Sequence, residues 1–335
     1  MTGKDRTALV LGASGGIGGE VARQMRAAGW RVVALKRGLA VARETRENID
    51  WRRGDAMNAA DVRAAAEGCG VIVHAVNPPG YRDWDRLVLP MLANSIAAAT
   101  AQRATLVLPG TVYNFGPDAF PLLREDAPQH PATRKGAIRA AMEKTLREAS
   151  DVGLRVLIVR AGDFFGPRAG NNWFSQALLR PGRPVATLRN PAAAGVGHQW
   201  AYLPDVARTM LALLERRDTL PAFASFHLAG HWDADGRQMA EAIQRVVARR
   251  TGRTPRIAPL PWWLFDVASP FVATFREMRE MRYLWQQPVQ LDNARLVATL
   301  GHEPHTPLDE AVEASLQGLG CLPAVAEPCA TSASG

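Results

Sequence analysis

Gly12-Ala-Ser-Gly15-Gly-Ile-Gly18 lies between an apolar run over Thr7 to Gly12 and a segment whose Ile17, Val21, Met25 and Ala28 recur at helical spacing until Gly29 stops it. The β-branched run Arg31 to Leu35 follows, which closes a β-α-β unit within about 30 residues. Glycines at such a strand-to-helix turn let backbone approach a ligand closely. The helix N-terminus then aims free N–H groups and the positive end of its dipole at a pyrophosphate. Gly12, Ser14, Gly15, Gly16, Ile17 and Gly18 are therefore the expected phosphate-binding residues.

The alternation continues along the chain. Asp61 to Gly68, Leu87 to Ala101 and Gly136 to Ala149 read as helices, and Val71 to Val76, Thr105 to Leu108 and Arg155 to Val159 as strands. Near-continuous apolar strands separated by amphipathic helices imply a parallel sheet covered on both faces, hence a doubly wound α/β fold. After Gly166 the chain turns to Pro, Gly, Asn and Trp, with loops at Pro181 to Pro184 and Ala192 to Gly197. Residues 1–165 are expected to form the dinucleotide-binding core, with segments near 196–225 returning to it. Residues 166–320 are expected to form mainly a substrate lobe, and 321–335, rich in Ala, Pro and Ser, a disordered tail. Six of nine tryptophans, Trp173, Trp200, Trp232, Trp262, Trp263 and Trp285, fall in the second half, either as core or as an apolar pocket wall.

Lys and Arg number 40 against 32 Asp and Glu, a formal charge of +8 that suits an anionic ligand, a nucleic acid or a plain soluble surface. Arg245, Arg249, Arg250, Arg253 and Arg256 share no single helix face and accompany no nucleic-acid motif, so they read as a solvated helix and no nucleic-acid partner is expected. Cys69, Cys321 and Cys329 have no C-x-x-C spacing, which argues against a disulfide framework or a metal site. The first residues run straight into an apolar strand without a secretory segment, and no run approaches a membrane span. A cytoplasmic protein with no membrane partner is the expectation.

The G-x-x-G-x-x-G spacing resembles that of the short-chain dehydrogenase/reductase superfamily, and later segments resemble its extended, epimerase/dehydratase-like branch. Gly54-Asp55 resembles that branch's Gly-Asp pair, which implies that Asp55 binds the adenine amine. Cys69-Gly-Val-Ile-Val-His74-Ala75-Val76-Asn77 resembles the segment beside the cofactor ribose. Val112-Tyr113-Asn-Phe-Gly116, Arg160-Ala-Gly-Asp-Phe-Phe165-Gly-Pro167 and His198-Gln-Trp-Ala-Tyr202-Leu-Pro-Asp205 resemble its later blocks. Leu291-Asp-Asn, Leu300-Gly301 and Thr306-Pro-Leu308 resemble its ending, so the likeness spans about residues 6 to 318. The resemblance implies a Rossmann-like sheet with a smaller C-terminal substrate lobe, and a nicotinamide cofactor. NAD-binding members carry an acid at the end of strand two; Lys36 and Arg37 stand here instead. Two cations attract a 2′-phosphate, so NADP is preferred and NAD is the alternative.

The chain departs from the family at its catalytic positions. The resemblance implies a Tyr-x-x-x-Lys pair on a helix, yet the matching stretch carries Lys135 and Arg139, and no tyrosine of this sequence has a lysine four residues later. The usual upstream hydroxyl falls at Pro109, with Thr111 the nearest substitute. Arg139 can hold a ribose but cannot donate a proton. To act as an acid, Lys135 needs burial and a like charge to bring its ammonium from about 10.4 toward 7. Tyr113 and His198 are further donor candidates, and Asp205 is expected to cap the helix beginning at Val206. These absences resemble the atypical members of the superfamily. Three functions follow: an NADP-dependent oxidoreductase acting on a small organic substrate, a nonenzymatic NADP sensor, or a nucleotide-sugar epimerase or dehydratase. Whether the chain forms a homodimer is left open.

Overall fold

Strands of nearly continuous Val, Ile, Leu and Ala leave no polar face, so they must be covered from both sides. The computed structural model describes residues 6–78, 83–170, 172–271 and 273–323. Thr7–Leu11 (β1) leads through Gly16–Ala27 (α1) to Arg31–Lys36 (β2), and a charged hairpin of Arg43–Arg46 (β3) and Ile49–Arg53 (β4) follows. Then come Ala59–Ala66 (α2), Val71–His74 (β5), Trp84–Gln102 (α3), Thr105–Thr111 (β6), Leu122–Leu123 (β7), Arg134–Asp151 (α4) and Val156–Ala161 (β8). The next elements are Asp163–Phe165 (β9), Thr187–Asn190 (β10), His198–Tyr202 (β11), Leu203–Glu215 (α5), Phe223–His227 (β12) and His231–Asp233 (β13). Gln238–Thr251 (α6), Arg256–Pro259 (β14), Trp262–Ala268 (α7), Ala273–Glu280 (α8), Gln290–Leu291 (β15), Ala294–Leu300 (α9) and Leu308–Gly318 (α10) complete the described elements.

Eight strands form one sheet in the order β12-β8-β6-β5-β1-β2-β4-β3, parallel throughout except where β3 turns back on β4. This is the doubly wound α/β sheet expected of the alternation. One face packs Val10, Val32, Val73 and Val159 against Val21, Met25, Val206 and Met210 of α1 and α5. The other packs Leu9, Val33, Ile72 and Leu106 against Val62, Val88, Leu92 and Leu146 of α2, α3 and α4. A third core holds Trp173, Phe174, Trp200, Ile243, Trp285 and Val312 from the second half of the chain together with Val112, Phe115, Leu123 and Phe165 from the first.

Several boundaries differ from the expectation for local reasons. Asn58 accepts hydrogen bonds from the Ala60 and Asp61 amides, so α2 starts at Ala59 rather than Asp61. β5 stops at His74; the Ala75 amide still donates to the Leu11 carbonyl of β1 at 3.0 Å, and Val76 and Asn77 follow beyond the strand. β6 runs on to Thr111 because Pro109 and Gly110 stay in register with Val159 and Arg160. Asp205 is not the cap of a helix beginning at Val206. Since Pro204 needs no N–H partner in a first turn, α5 begins at Leu203, and Asp205 is buried inside that turn. Its carboxylate accepts from the Thr306 amide at 2.7 Å and hydroxyl at 2.8 Å, and pairs with Arg208, tying the segment before α10 to the sheet layer. Cys321 and Leu322 are buried against the third core, while residues 324–335 of the expected tail, Cys329 included, lie outside the described residues.

Three of the five clustered arginines are committed to α10. Arg245 meets Asp309 at 2.7 Å, Arg249 meets Glu313 at 2.7 Å, and Arg250 also pairs with Glu313. No described helix is long and apolar enough to cross a membrane.

Candidate functional site

Where β5 and β2 leave on opposite sides of β1, the loops after the strands diverge and open a crevice at the strands' C-terminal ends. A cleft of about 630 Å³ fills that crevice, a volume within the range of small-molecule and cofactor sites. Its floor is the turn after β1. Gly12 adopts φ of +87°, and a Cβ there would stand 2.4 Å from the Ala75 carbonyl oxygen. Only glycine fits. The left-handed backbone therefore belongs to Gly12, not to Gly15, whose φ is −93°. Ser14, Gly15, Gly16 and Ile17 line the cleft. Gly15, at the N-cap of α1, offers no side chain to the first-turn amides, and no acid stands in that turn, so the helix end is suited to an anion. Gly18 does not line the cleft. A Cβ on it would lie 2.3 Å from the Gly12 carbonyl oxygen, so it lets α1 cross tightly against the turn.

Lys36, Arg37 and Asp55 line one end of the cleft, beyond β2 and β4. Asp55 accepts from the Met57 amide at 3.0 Å and lies 3.9 Å from the Arg37 guanidinium, an exposed pair that contributes little to stability. Lys36 stands over the Trp51 ring at 5.9 Å, which limits its freedom. Ala75, Val76 and Asn77 line the middle. Arg139 reaches them from α4, donating to Asn77 at 3.3 Å with its guanidinium 5.1 Å above the Trp84 ring. Beside them His74 is buried. Burial first, then the Arg139 charge, pushes its imidazole down to about 3, so the ring is neutral.

Thr111, Tyr113, Asp163, Phe164, Asn172 and Trp173 line the opposite end, beyond β6 and β8. The Tyr113 hydroxyl lies 3.5 Å from one oxygen of Asp163, and His198 meets the other oxygen at 2.9 Å. His198 itself is behind the cleft wall, its ring stacked on Trp285 at 3.6 Å with its other nitrogen facing the Leu284 carbonyl at 3.1 Å. Asp163 was not among the residues singled out in the sequence. Its one signal is a carboxylate within the otherwise uncharged Ala161-Gly-Asp-Phe-Phe-Gly-Pro167.

Lys135 is not brought to the cleft. It is buried at the start of α4 with its ammonium 2.8 Å from Glu277 and 3.1 Å from that residue's carbonyl, and its amide donates to Glu280. The acid role considered for it requires contact with the reacting groups, and α8 holds it elsewhere. Outside the cleft, Asp205, His231 and His305 lie close together. Both Asp205 oxygens already serve Thr306 and one also serves Arg208, so the group acts as a tertiary clamp.

The tryptophans divide. Trp200 and Trp285 are core, Trp173 is both core and cleft wall, and Trp263 is 64% exposed.

The same architecture recurs in solved structures. UDP-glucose 4-epimerase of Thermus thermophilus in complex with NAD superposes with a TM-score of 0.68 at 20% identity, covering 93% of this chain and 98% of that one. UDP-glucose 4-epimerase of Brucella ovis in complex with NAD gives 0.71 at 16% identity over 94% and 98%. The Bordetella bronchiseptica enzyme WbmH in complex with NAD+ gives 0.67 at 18% over 93% and 97%. No curated protein matches the sequence. The model of the NAD dependent epimerase/dehydratase family matches residues 8–229, well over half of the chain, and with the glycine turn, the switch-point cleft and the sheet order in place, the chain belongs to that family.

Proposed function

We propose that the protein binds NADP in this cleft and is an oxidoreductase for a small organic carbonyl or alcohol. The observation that carries the reading is the pair Lys36 and Arg37 at the end of β2, both lining the cleft, where a carboxylate would repel a 2′-phosphate. The NAD found in the related structures supports the cofactor class, and the two cations support the phosphorylated form. The turn at Gly12 and the amides opening α1 would hold the pyrophosphate, and Arg139 with Asn77 a ribose.

A bound nicotinamide would supply or accept the hydride. The protein's part is to place the carbonyl and exchange a proton at its oxygen. Tyr113 is the proposed proton donor; Asp163, held in orientation by His198, orients its phenol, and the phenolate left after donation takes its proton back from solvent at the open cleft. Arg139 is the lining cation nearest this end and Asp163 is a carboxylate, so the arrangement favours an uncharged substrate over a nucleotide diphosphate. Sensing of NADP without turnover is the second reading. The placement of Lys135 against Glu277, which leaves the family's usual tyrosine position outside the cleft, favours it.

Titration of NADPH and NADH into the wild type and a Lys36→Ala, Arg37→Ala double variant tests the cofactor. Charged hydrogen bonds contribute about 1.5 to 3 kcal/mol each before screening, so NADPH should bind about tenfold or more tighter, and the double variant should lose that preference. Equal affinities in the wild type would refute it. NADPH oxidation across a carbonyl panel separates enzyme from sensor.

A further inference from the structure

α7 is apolar on both sides. Its inner side is anchored by Trp262, Phe265 and, just past the helix end, Ser269. Trp262 packs on Trp173 at 5.9 Å between ring centres and donates its indole N–H to the Pro191 carbonyl at 3.0 Å. Phe265 packs on Phe275 of α8 at 4.7 Å. That spacing turns Trp263, Leu264 and Val267 outward within an arc of about 100°. They are 64%, 43% and 67% exposed, and Phe271 in the following turn is 87% exposed. Soluble chains scatter single apolar residues over their surfaces, whereas four bulky ones side by side mark a surface that meets something apolar.

The charges around this ridge are sorted. On α8, packed against α7, Glu277 and Glu280 face inward to Lys135, while Arg276 and Arg279 are exposed. The one acid on α7, Asp266, is paired with Arg282 at 3.3 Å. Two-fold association through this face would set the same arginines against each other, because such an interface repeats one patch on both partners. An anionic lipid surface instead attracts them and accepts Trp and Phe at its headgroup boundary. With seven residues, α7 is too short to span a bilayer and has the length to lie in its surface.

We propose that the outward face of α7, with Phe271 as its tip and Arg276 and Arg279 as its flanking cations, docks this protein on an anionic membrane surface. This departs from the expectation of no membrane partner, which rested on the lack of a span. Docking would place the bilayer across α7 from Trp262, which touches the cleft-wall residue Trp173. The proposal stands independently of which dinucleotide the cleft binds.

The test is cosedimentation of the full chain with phosphatidylcholine vesicles that either lack phosphatidylserine or contain about one-third of it. The same chain is examined with Trp263→Ser and Phe271→Ser together, and with Arg276→Glu and Arg279→Glu together. Circular dichroism and the thermal midpoint check that the exposed substitutions leave the fold intact, and light scattering reports oligomeric state. The wild type should bind the anionic vesicles with its tryptophan emission shifted to the blue. Each double variant should require about tenfold more lipid for the same bound fraction. Failure of the wild type to bind, or binding undiminished by the Trp263 and Phe271 substitutions, would overturn the proposal. So would a wild-type dimer that the apolar substitutions convert to monomer without any lipid present.

Discussion

Acidification from about pH 7.5 to about pH 5 should weaken this fold through imidazoles that the structure keeps neutral. Burial, then the Arg160 charge, pushes His227 down to about 3, and burial followed by the Arg139 charge does the same to His74. Burial and the charge of His305 bring His231 down to about 4. The hydrogen bonds agree with neutral rings: Arg160 donates to Nε2 of His227 at 2.9 Å while Nδ1 faces the Leu123 carbonyl, so a second proton would point at a guanidinium. In the unfolded chain each ring takes up a proton near pH 6.5. A depressed folded value means that the unfolded state binds more protons below that pH, so stability is full above about 6.5 and falls as the pH drops. At about pH 5 each ring costs about 2 kcal/mol, hence about 4 kcal/mol for His74 and His227 together and about 6 with His231. That is a large share of the 5 to 15 kcal/mol typical of a folded chain. Asp233 acts in the opposite direction, since burial raises its carboxyl and the folded state gains protons there as the pH falls further. Urea midpoints between pH 7.5 and 5, measured for the wild type and His227→Gln, supply the slope, and NMR titration of the ring protons supplies the states. A flat profile over this range, or ring signals of all histidines moving near pH 6.5, would refute the reasoning.

Lys135→Met should lower stability by about 3 to 5 kcal/mol in urea unfolding, because it strands the buried Glu277 carboxylate, and adding Glu277→Leu should recover most of that loss. Gly12→Ala should abolish dinucleotide binding by calorimetry and lower the thermal midpoint, since its methyl group would stand 2.4 Å from a carbonyl oxygen on a backbone with φ of +87°. Arg139→Ala should weaken NADPH binding about tenfold by the same titration, through loss of its charged contact beside Asn77, with little change in the thermal midpoint.

The sheet was legible because the physics that forms it is local. Val71-Ile-Val-His74 or Val156-Leu-Ile-Val159 can only be buried, and the amphipathic stretch after each can only cover them. The glycine turn was legible for the same reason. Other features depend on distant partners. Lys135 reads as an exposed lysine beside a helix start until Glu277, 142 residues away, is set against it. Asp163 and His198 lie 35 residues apart and meet only because β9 pairs with β11. β3, Arg43-Glu-Thr-Arg46, has no apolar pattern and is a strand because it turns back on β4. In Trp262-Trp-Leu-Phe265 every position is apolar, so the pattern alone does not say which side faces the core.

The position of β12 bears on how the polypeptide is made. It pairs with β8, yet it emerges from the ribosome after the whole stretch between Ala161 and Phe223. Until His227 has been synthesised, Val156-Leu-Ile-Val159 presents a row of unsatisfied amides and carbonyls along one side of a hydrophobic ribbon. The other border carries Arg43, Glu44 and Arg46, whose charges deter stray pairing from the moment it forms. A nascent chain is therefore vulnerable on one flank during the translation of about sixty residues. A fragment ended near residue 165 would keep that vulnerability for good and should aggregate more readily than a chain that includes β12.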